Sequence, residues 1–272
     1  MPILRDAYIL VIGAMKSGTS TFFSHLTSHP AVAASSVKEP EYFSEFQGHG
    51  AHVDSYEELW EFDPALHRYC AEASTGYTKY PDEPHVPDRI RAAGIEPRFI
   101  YLVRDPIARI ESQFNHGLLR RASWAYDHFW DPRLLNISRY YMQMQQFLLR
   151  FPDRGRYLIL GFDELVANPQ STMDRAFRWL GLDPIPLAPN RQVNRTPRRS
   201  RLELMLADVD LSGPLKVIPG PVKWRVKKLL RERTPARRKM SAAEREGVMR
   251  YLQRDIRTFG QEFRFPVEKW GF

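Results

Sequence analysis

The chain has 272 residues, 43% of them hydrophobic, and a formal charge of +8. That is enough apolar material for a full core, and the single cysteine, Cys70, excludes an intrachain disulfide. No early apolar run is long enough for a membrane span or a signal-peptide core, so a cytoplasmic protein without a transmembrane segment is expected.

The charge is unevenly placed. From Asn190 to Arg257 there are 19 Lys/Arg against 7 Asp/Glu, which leaves the rest of the chain net negative. This basic stretch reads either as a surface for an anionic partner or as a set of solvated helix faces.

Tyr8 to Ile12 reads as a buried strand, and a helix is expected from Thr19 with Phe22, Phe23 and Leu26 inward. Ala31 to Ser35 is a short strand of small residues. Lys38-Glu39-Pro40-Glu41-Tyr42-Phe43 follows, with Pro40 suited to a first helical turn and Lys38 and Glu39 on the loop before it. A short amphipathic helix is expected over Ser55 to Phe62, a strand over Arg68 to Ser74, and a helix over His85 to Ala93. Arg98 to Val103 is a clear strand. The next helix carries Ile107, Ile110, Phe114 and Leu118 on one side. Residues 136–150 read as one amphipathic helix, Arg156 to Leu160 as the last strong strand, and Pro169 to Leu180 as a helix stopped by Gly181. Pro184 to Pro197 holds four prolines and reads as irregular. Basic helices finish the chain, the clearest over Ala242 to Phe259.

Strands alternating with helices predict an α/β fold with a central parallel sheet and helices on both faces. One domain over 1–272 is expected, with an α/β nucleotide-binding core at 1–183 and a loop and basic helical part at 184–272.

The chemistry-bearing stretch is Gly13-Ala-Met-Lys-Ser-Gly-Thr-Ser-Thr21. Gly13 and Gly18 have the spacing of a Walker A loop, G-x-x-x-x-G-K-[ST], but Thr19 stands where its lysine belongs. The cation is three positions earlier, at Lys16. Ser17, Thr19, Ser20 and Thr21 add hydroxyls, and the helix N-terminus adds amides and the positive dipole end. The guest of this phosphate-type cradle is therefore not expected to be an ordinary nucleoside triphosphate. A second anion grip is expected at Arg104, a planar donor fork suited to phosphate, with Ser112 two turns into the following helix. No His, Cys or Asp cluster has metal-ligand spacing.

The three stretches together resemble the sulfotransferases that use 3′-phosphoadenosine-5′-phosphosulfate. Gly13 to Thr21 is similar to that family's 5′-phosphosulfate loop, displaced lysine included. Arg104 with Ser112, in Leu-Val-Arg-Asp-Pro-Ile-Ala-Arg-Ile-Glu-Ser-Gln-Phe, resembles its 3′-phosphate site. Lys38 to Phe43 resembles the segment that supplies the catalytic base in the heparan-type and related bacterial branch. The likeness runs through Phe162-Asp-Glu-Leu165 and Phe177 to Leu182. It implies a P-loop NTPase-like fold, Glu39 as general base, Lys16 at the leaving group and Lys38 as an orienting cation. It implies Lys16, Ser17, Gly18, Thr19, Ser20, Thr21, Arg104 and Ser112 as donor-binding residues, no required metal, and adenosine 3′,5′-bisphosphate as product. The heparan-type cysteine pair around a late lysine-glycine loop is missing; the expected counterpart of that loop is Val193 to Ser200, from which Arg198 or Arg199 would reach the 3′-phosphate. His116, Ser74 and Tyr77 are candidate acceptor residues. The acceptor itself is expected to be a hydroxyl on a glycan, a lipid or a small natural product.

Two other readings compete. A P-loop kinase or NTPase requires a lysine directly after Gly18, which is missing. A nucleic-acid-binding module would interleave aromatics with its basic residues, yet Trp224 is the only aromatic between Asn190 and Arg250, so no nucleic acid is expected.

Overall fold

A computed structural model of the chain describes residues 3–45, 53–120, 126–188 and 237–272. Five strands form one sheet in the order β2-β3-β1-β4-β5: β1 Tyr8–Gly13, β2 Val32–Ala34, β3 Tyr69–Ala73, β4 Arg98–Val103 and β5 Tyr157–Gly161. Every adjacent pair is parallel. All strand carboxyl ends therefore share one edge, and the order reverses at β1, where open parallel sheets bind ligands.

Strand β1 is buried at all six positions, and its side chains alternate between two cores. Tyr8, Leu10 and Ile12 join Phe99 and Tyr101 under α2 (Val86–Ala92), α3 (Pro106–Arg120), α5 (Tyr140–Leu148) and α8 (Ala242–Phe263). Ile9 and Val11 join Ile100 and Leu102 on the other face, under α1 (Thr19–Leu26) and α7 (Pro169–Trp179). Phe22, Phe23 and Leu26 are buried there, each contributing about 1.5–3 kcal/mol by leaving water. The expected parallel sheet with helices on both faces is the observed architecture.

Four expectations change. Residues 38–45 form no helix after Pro40; Glu39 and Glu41 take left-handed backbone, at φ 55° and 51°. The helix expected over 136–150 is two, α4 (Pro132–Ile137) and α5, because Arg139 stands at non-helical φ and ψ between them. The segment around Ser55 to Phe62 is only a 3₁₀ turn, Tyr56–Leu59. An additional helix, α6 (Phe162–Ala167), leaves β5 directly.

Beyond α7 the chain stays irregular to 188. Helix α8 begins with a capping box: Ser241 Oγ accepts the Glu244 amide, and the Glu244 carboxylate accepts the Ser241 amide. The segment before it is pinned to α3, since the Asn115 side chain both donates to the Arg238 carbonyl and accepts the Arg238 amide, each at 2.8 Å. Among the described residues, no helix is long and apolar enough to cross a membrane.

Helix α5 has no side-chain cap of its own. Asp255 of α8 supplies one, accepting the amides of Tyr141 and Met142 at 3.0 and 2.9 Å. Burial pushes this carboxyl up to about 6. Asp255→Ala should destabilise the protein by about 1–2 kcal/mol, the scale of a lost cap. Urea unfolding measures it, and an unmoved midpoint would leave the cap without energetic weight.

Candidate functional site

The loop from β1 to α1 is built as an anion cradle. Its amide at Ala14 donates to the Leu102 carbonyl of β4 and its Ser17 amide to the Ala14 carbonyl, fixing a tight turn. Lys16 takes left-handed backbone at φ 70°, a conformation that costs a non-glycine residue roughly 1–2 kcal/mol. Gly18 sits at φ 83° and precedes α1, whose N-terminus has no side-chain cap. The first amides of α1 thus keep their donors for an external acceptor. A Cβ on Gly18 would come 2.9 Å from the Phe162 ring, so this glycine is demanded by both conformation and close approach. Ser17 is fully buried, and among the described residues its hydroxyl meets no hydrogen-bond partner. Thr19 is buried; Lys16, Ser20 and Thr21 are half-buried.

Arg104 follows β4 and reaches across to this loop. Its guanidinium donates to the Lys16 carbonyl at 3.2 Å and lies 4.5 Å from the centre of the Phe162 ring. No ion pair to Arg104 occurs among the described residues. The adjacent acids are committed elsewhere: Asp105 accepts the Ala108 amide in the first turn of α3, and Glu111 accepts the Met240 amide. Burial lowers the Arg104 pKa, against the opposing charges of Asp163, Asp105 and Glu111. Ser112 lies half-buried in the second turn of α3 and His116 one turn further.

Sequence reasoning did not single out Arg109, which is fully buried on α3. It donates to the carbonyls of Met15 and Leu134 and to the side chains of Ser138 and Gln113. A buried arginine with neutral partners ties the loop to α3 and α4. The available signal was an Arg109/Gln113 pair four residues apart within the apolar side of α3.

The loop after β2 carries Lys38 and Glu39, whose side chains pair at 3.4 Å. Lys38 is exposed and Glu39 half-buried. The loop bends over the carboxyl end of β3. The Glu41 amide donates to Ser74 Oγ at 3.0 Å, and the Glu41 carboxylate accepts the Gly76 amide at 2.9 Å and the Ser44 hydroxyl at 2.8 Å. A Cβ on Gly76 would stand 1.8 Å from that carboxylate, so Gly76 makes room for Glu41 rather than merely serving a turn. The same β3 turn is fastened to β1, through the Ser74 amide on the Val11 carbonyl and Thr78 Oγ1 on the Ile12 carbonyl.

Ser74 and Tyr77, candidates for the acceptor side, are buried. Both donate instead to Glu72, a fully buried carboxylate of β3 that also accepts the Tyr56 hydroxyl. Tyr126 and Phe129 are likewise buried in the core, whereas Trp130 is 40% exposed. Arg198 and Arg199 lie outside the described residues. Among the described residues no group of three or more His, Cys, Asp and Glu is placed to hold a metal ion.

A parallel sheet with this cradle at its central strand defines the P-loop NTPase-like class of α/β proteins. The comparisons narrow it. The model of the Sulfotransferase family matches residues 8–186, and the chain belongs to that family. The Membrane-associated sulfotransferase kil1 of Dictyostelium discoideum is 31% identical over 111 residues, which is 40% of this chain and 22% of that protein. Heparan sulfate glucosamine 3-O-sulfotransferase 3A1 of Mus musculus is 26% identical over 190 residues, 64% of this chain and 45% of that protein. The chain thus spans less than half the length of these curated relatives. The crystal structure of a sulfotransferase from Alicyclobacillus acidocaldarius superposes with a TM-score of 0.56 over 89% of this chain and 100% of that one, at 18% identity, a likeness of fold.

Burial raises the Glu72 carboxyl to about 7 from an ordinary 4.5, against the opposing pull of its hydroxyl donors. Between about 4.5 and 7 the folded protein holds a proton that the unfolded chain has released, so stability falls as pH rises through that window. The unfolding free energy of the wild type relative to Glu72→Gln should decline from below about 4.5 to above about 7. A pH-independent difference between the two would refute the assignment.

Proposed function

We propose that the chain transfers the sulfuryl group of 3′-phosphoadenosine-5′-phosphosulfate to an acceptor hydroxyl and releases adenosine 3′,5′-bisphosphate. The observation that carries this reading is the hydrogen bond from Arg104 to the Lys16 carbonyl. It joins two cationic grips, neither a Walker lysine, at the end of the central strand. The Ser17 hydroxyl and the Arg104 guanidinium, which among the described residues have no hydrogen-bond partner and no ion pair respectively, and the uncapped α1 fit a guest with two separate anionic ends. Family membership supports the same chemistry.

In this reading the amides of Gly18 to Ser20 and the hydroxyls of Ser17, Thr19, Ser20 and Thr21 hold the 5′-phosphate, while the Ser17 amide keeps the turn closed on the Ala14 carbonyl. Arg104 and Ser112 hold the 3′-phosphate, joined by Arg198 or Arg199. The donor supplies an activated sulfur–oxygen bond. Glu39 takes the proton of the acceptor hydroxyl as its oxygen bonds to sulfur, a general-base contribution of about 10²- to 10⁴-fold. The bond from sulfur to the 5′-phosphate oxygen breaks in line, and Lys16 neutralises the charge gathering on that oxygen. Lys38, paired with Glu39, orients the sulfuryl group or the acceptor. The acceptor belongs to the glycan, lipid or natural-product hydroxyls. The mouse relative, whose name specifies heparan sulfate glucosamine, supports the glycan class.

A thermal-shift comparison tests the donor. Adenosine 3′,5′-bisphosphate at about 100 times its Kd should stabilise the protein by about 2.7 kcal/mol, with no comparable effect from ATP-magnesium. Stabilisation by ATP-magnesium alone would favour the kinase reading. Glu39→Gln should retain the bisphosphate shift and lose at least about 100-fold in turnover, whereas Lys16→Ala should lower both. Undiminished turnover in Glu39→Gln would remove Glu39 from the base role.

A further inference from the structure

The loop that carries Glu39 is held in an unfavourable shape. Glu39 and Glu41 both adopt left-handed backbone, and each such non-glycine residue persists only where its surroundings over-determine it. The loop contains no helix or strand that could do so. Arg89 and Glu83 hold its far end at Phe43 and Glu45, and Gly76 holds the Glu41 carboxylate; the restraints on the backbone amides of Glu41 and Phe43 come from the end of β3 and converge on one side chain.

That side chain is Glu72. Ser74 donates to one Glu72 oxygen, and the Ser74 oxygen accepts the Glu41 amide. Tyr77 donates to the other Glu72 oxygen at 2.6 Å, and the Tyr77 oxygen stands 3.4 Å from the Phe43 amide that donates to it. Tyr56 also donates to Glu72, at 2.8 Å, and its ring lies 4.6 Å from the ring of Phe43 and 5.0 Å from that of Tyr42. The three hydroxyls that accept from, or pack on, the base loop are thus all oriented by one buried carboxylate. A hydroxyl has one proton; giving it to Glu72 turns the oxygen's lone pairs toward the loop amides. The acid is fully buried with no cation paired to it among the described residues, an arrangement that a packing role alone would not require.

We infer that Glu72 is a positioning residue for the reaction, acting through Ser74, Tyr77 and Tyr56 to hold the 38–45 loop in the left-handed shape that presents Glu39. The role rests on the reading of Glu39 as base. It predicts that Glu72 has no part in gripping the donor, because its hydrogen bonds lead to the β2 loop and not to the Gly13–Thr21 cradle.

The test uses the full chain, with water as acceptor in the slow hydrolysis of 3′-phosphoadenosine-5′-phosphosulfate. Turnover is measured for wild type, Glu72→Ala, Glu72→Gln, Glu39→Gln and the Glu39→Gln/Glu72→Ala double variant. Glu72→Ala should keep the bisphosphate thermal shift and lose about 100-fold in turnover, the cost of roughly 1 Å of misplacement. Glu72→Gln, which retains an acceptor oxygen, should lose less. In the Glu39→Gln background the Glu72→Ala change should cost nothing further, since a residue acting only through Glu39 is silent once that group is gone. Hydrogen exchange provides an activity-independent reading: the amides of 38–45 should exchange faster in Glu72→Ala while those of 13–21 do not. If Glu72→Ala does not fold, the Ser74→Ala/Tyr77→Phe variant takes its place in every arm.

The failures separate. Undiminished turnover in Glu39→Gln overturns the base reading, and exchange alone then decides the clamp. A loss in Glu39→Gln with additive costs in the double variant overturns the positioning role, as does unchanged exchange over 38–45.

Discussion

The site depends on one hydrogen bond between two cationic residues. Arg104 donates to the backbone carbonyl of Lys16, so the ends of β4 and β1 are tied by a group that remains charged afterwards. No carboxylate forms an ion pair with it among the described residues: Asp105 is committed to the start of α3 and Glu111 to the amide of Met240. Two positive side chains therefore share the sheet edge with uncapped helix amides and a serine hydroxyl that has no partner among the described residues. An anion arriving there would meet positive charge and hydrogen-bond donors together, which is how a binding site differs electrostatically from a surface ion-pair network.

Around that bond the fold divides its labour. The central strand sends alternate side chains into two cores and is buried along its whole length. Its carboxyl end then receives three loops, from β1, β3 and β4, at the point where the strand order reverses. The β2 loop starts one strand further out and gains access by bending over the β3 turn. That turn holds the β2 loop through Ser74 and is itself fastened to β1 through Thr78.

The elements and the cradle were legible because their signals are local. A five-residue apolar run, glycines at fixed spacing and a displaced lysine are all read along the chain. The strands and most helices follow from period, and Gly181 ends α7 where its left-handed φ of 70° is used. What stayed hidden is contact between distant segments. Glu72 reads as one acid in an apolar strand; only the arrival of Tyr56, Ser74 and Tyr77 gives it a purpose. Glu41 looked like a helix residue because Pro40 precedes it, yet its carboxylate occupies the space left by Gly76, 35 residues away. Helix breaks such as the one at Arg139 depend on α8 supplying a cap through Asp255, and no property of residues 136–150 encodes that.

The aromatic ring of Phe162 touches both halves of the site. It fills the space that a side chain at position 18 would take, and the Arg104 guanidinium lies over it. The approach of the Gly18 loop and the Arg104 guanidinium is thus bounded by a ring fixed at the first turn of a helix. A pocket gauged in this way would measure a ligand by the spacing of its charges as well as by their number. A linear run of phosphates and a molecule phosphorylated at two separate places can carry similar charge, and under the proposed function a ruler of this kind is what would tell them apart.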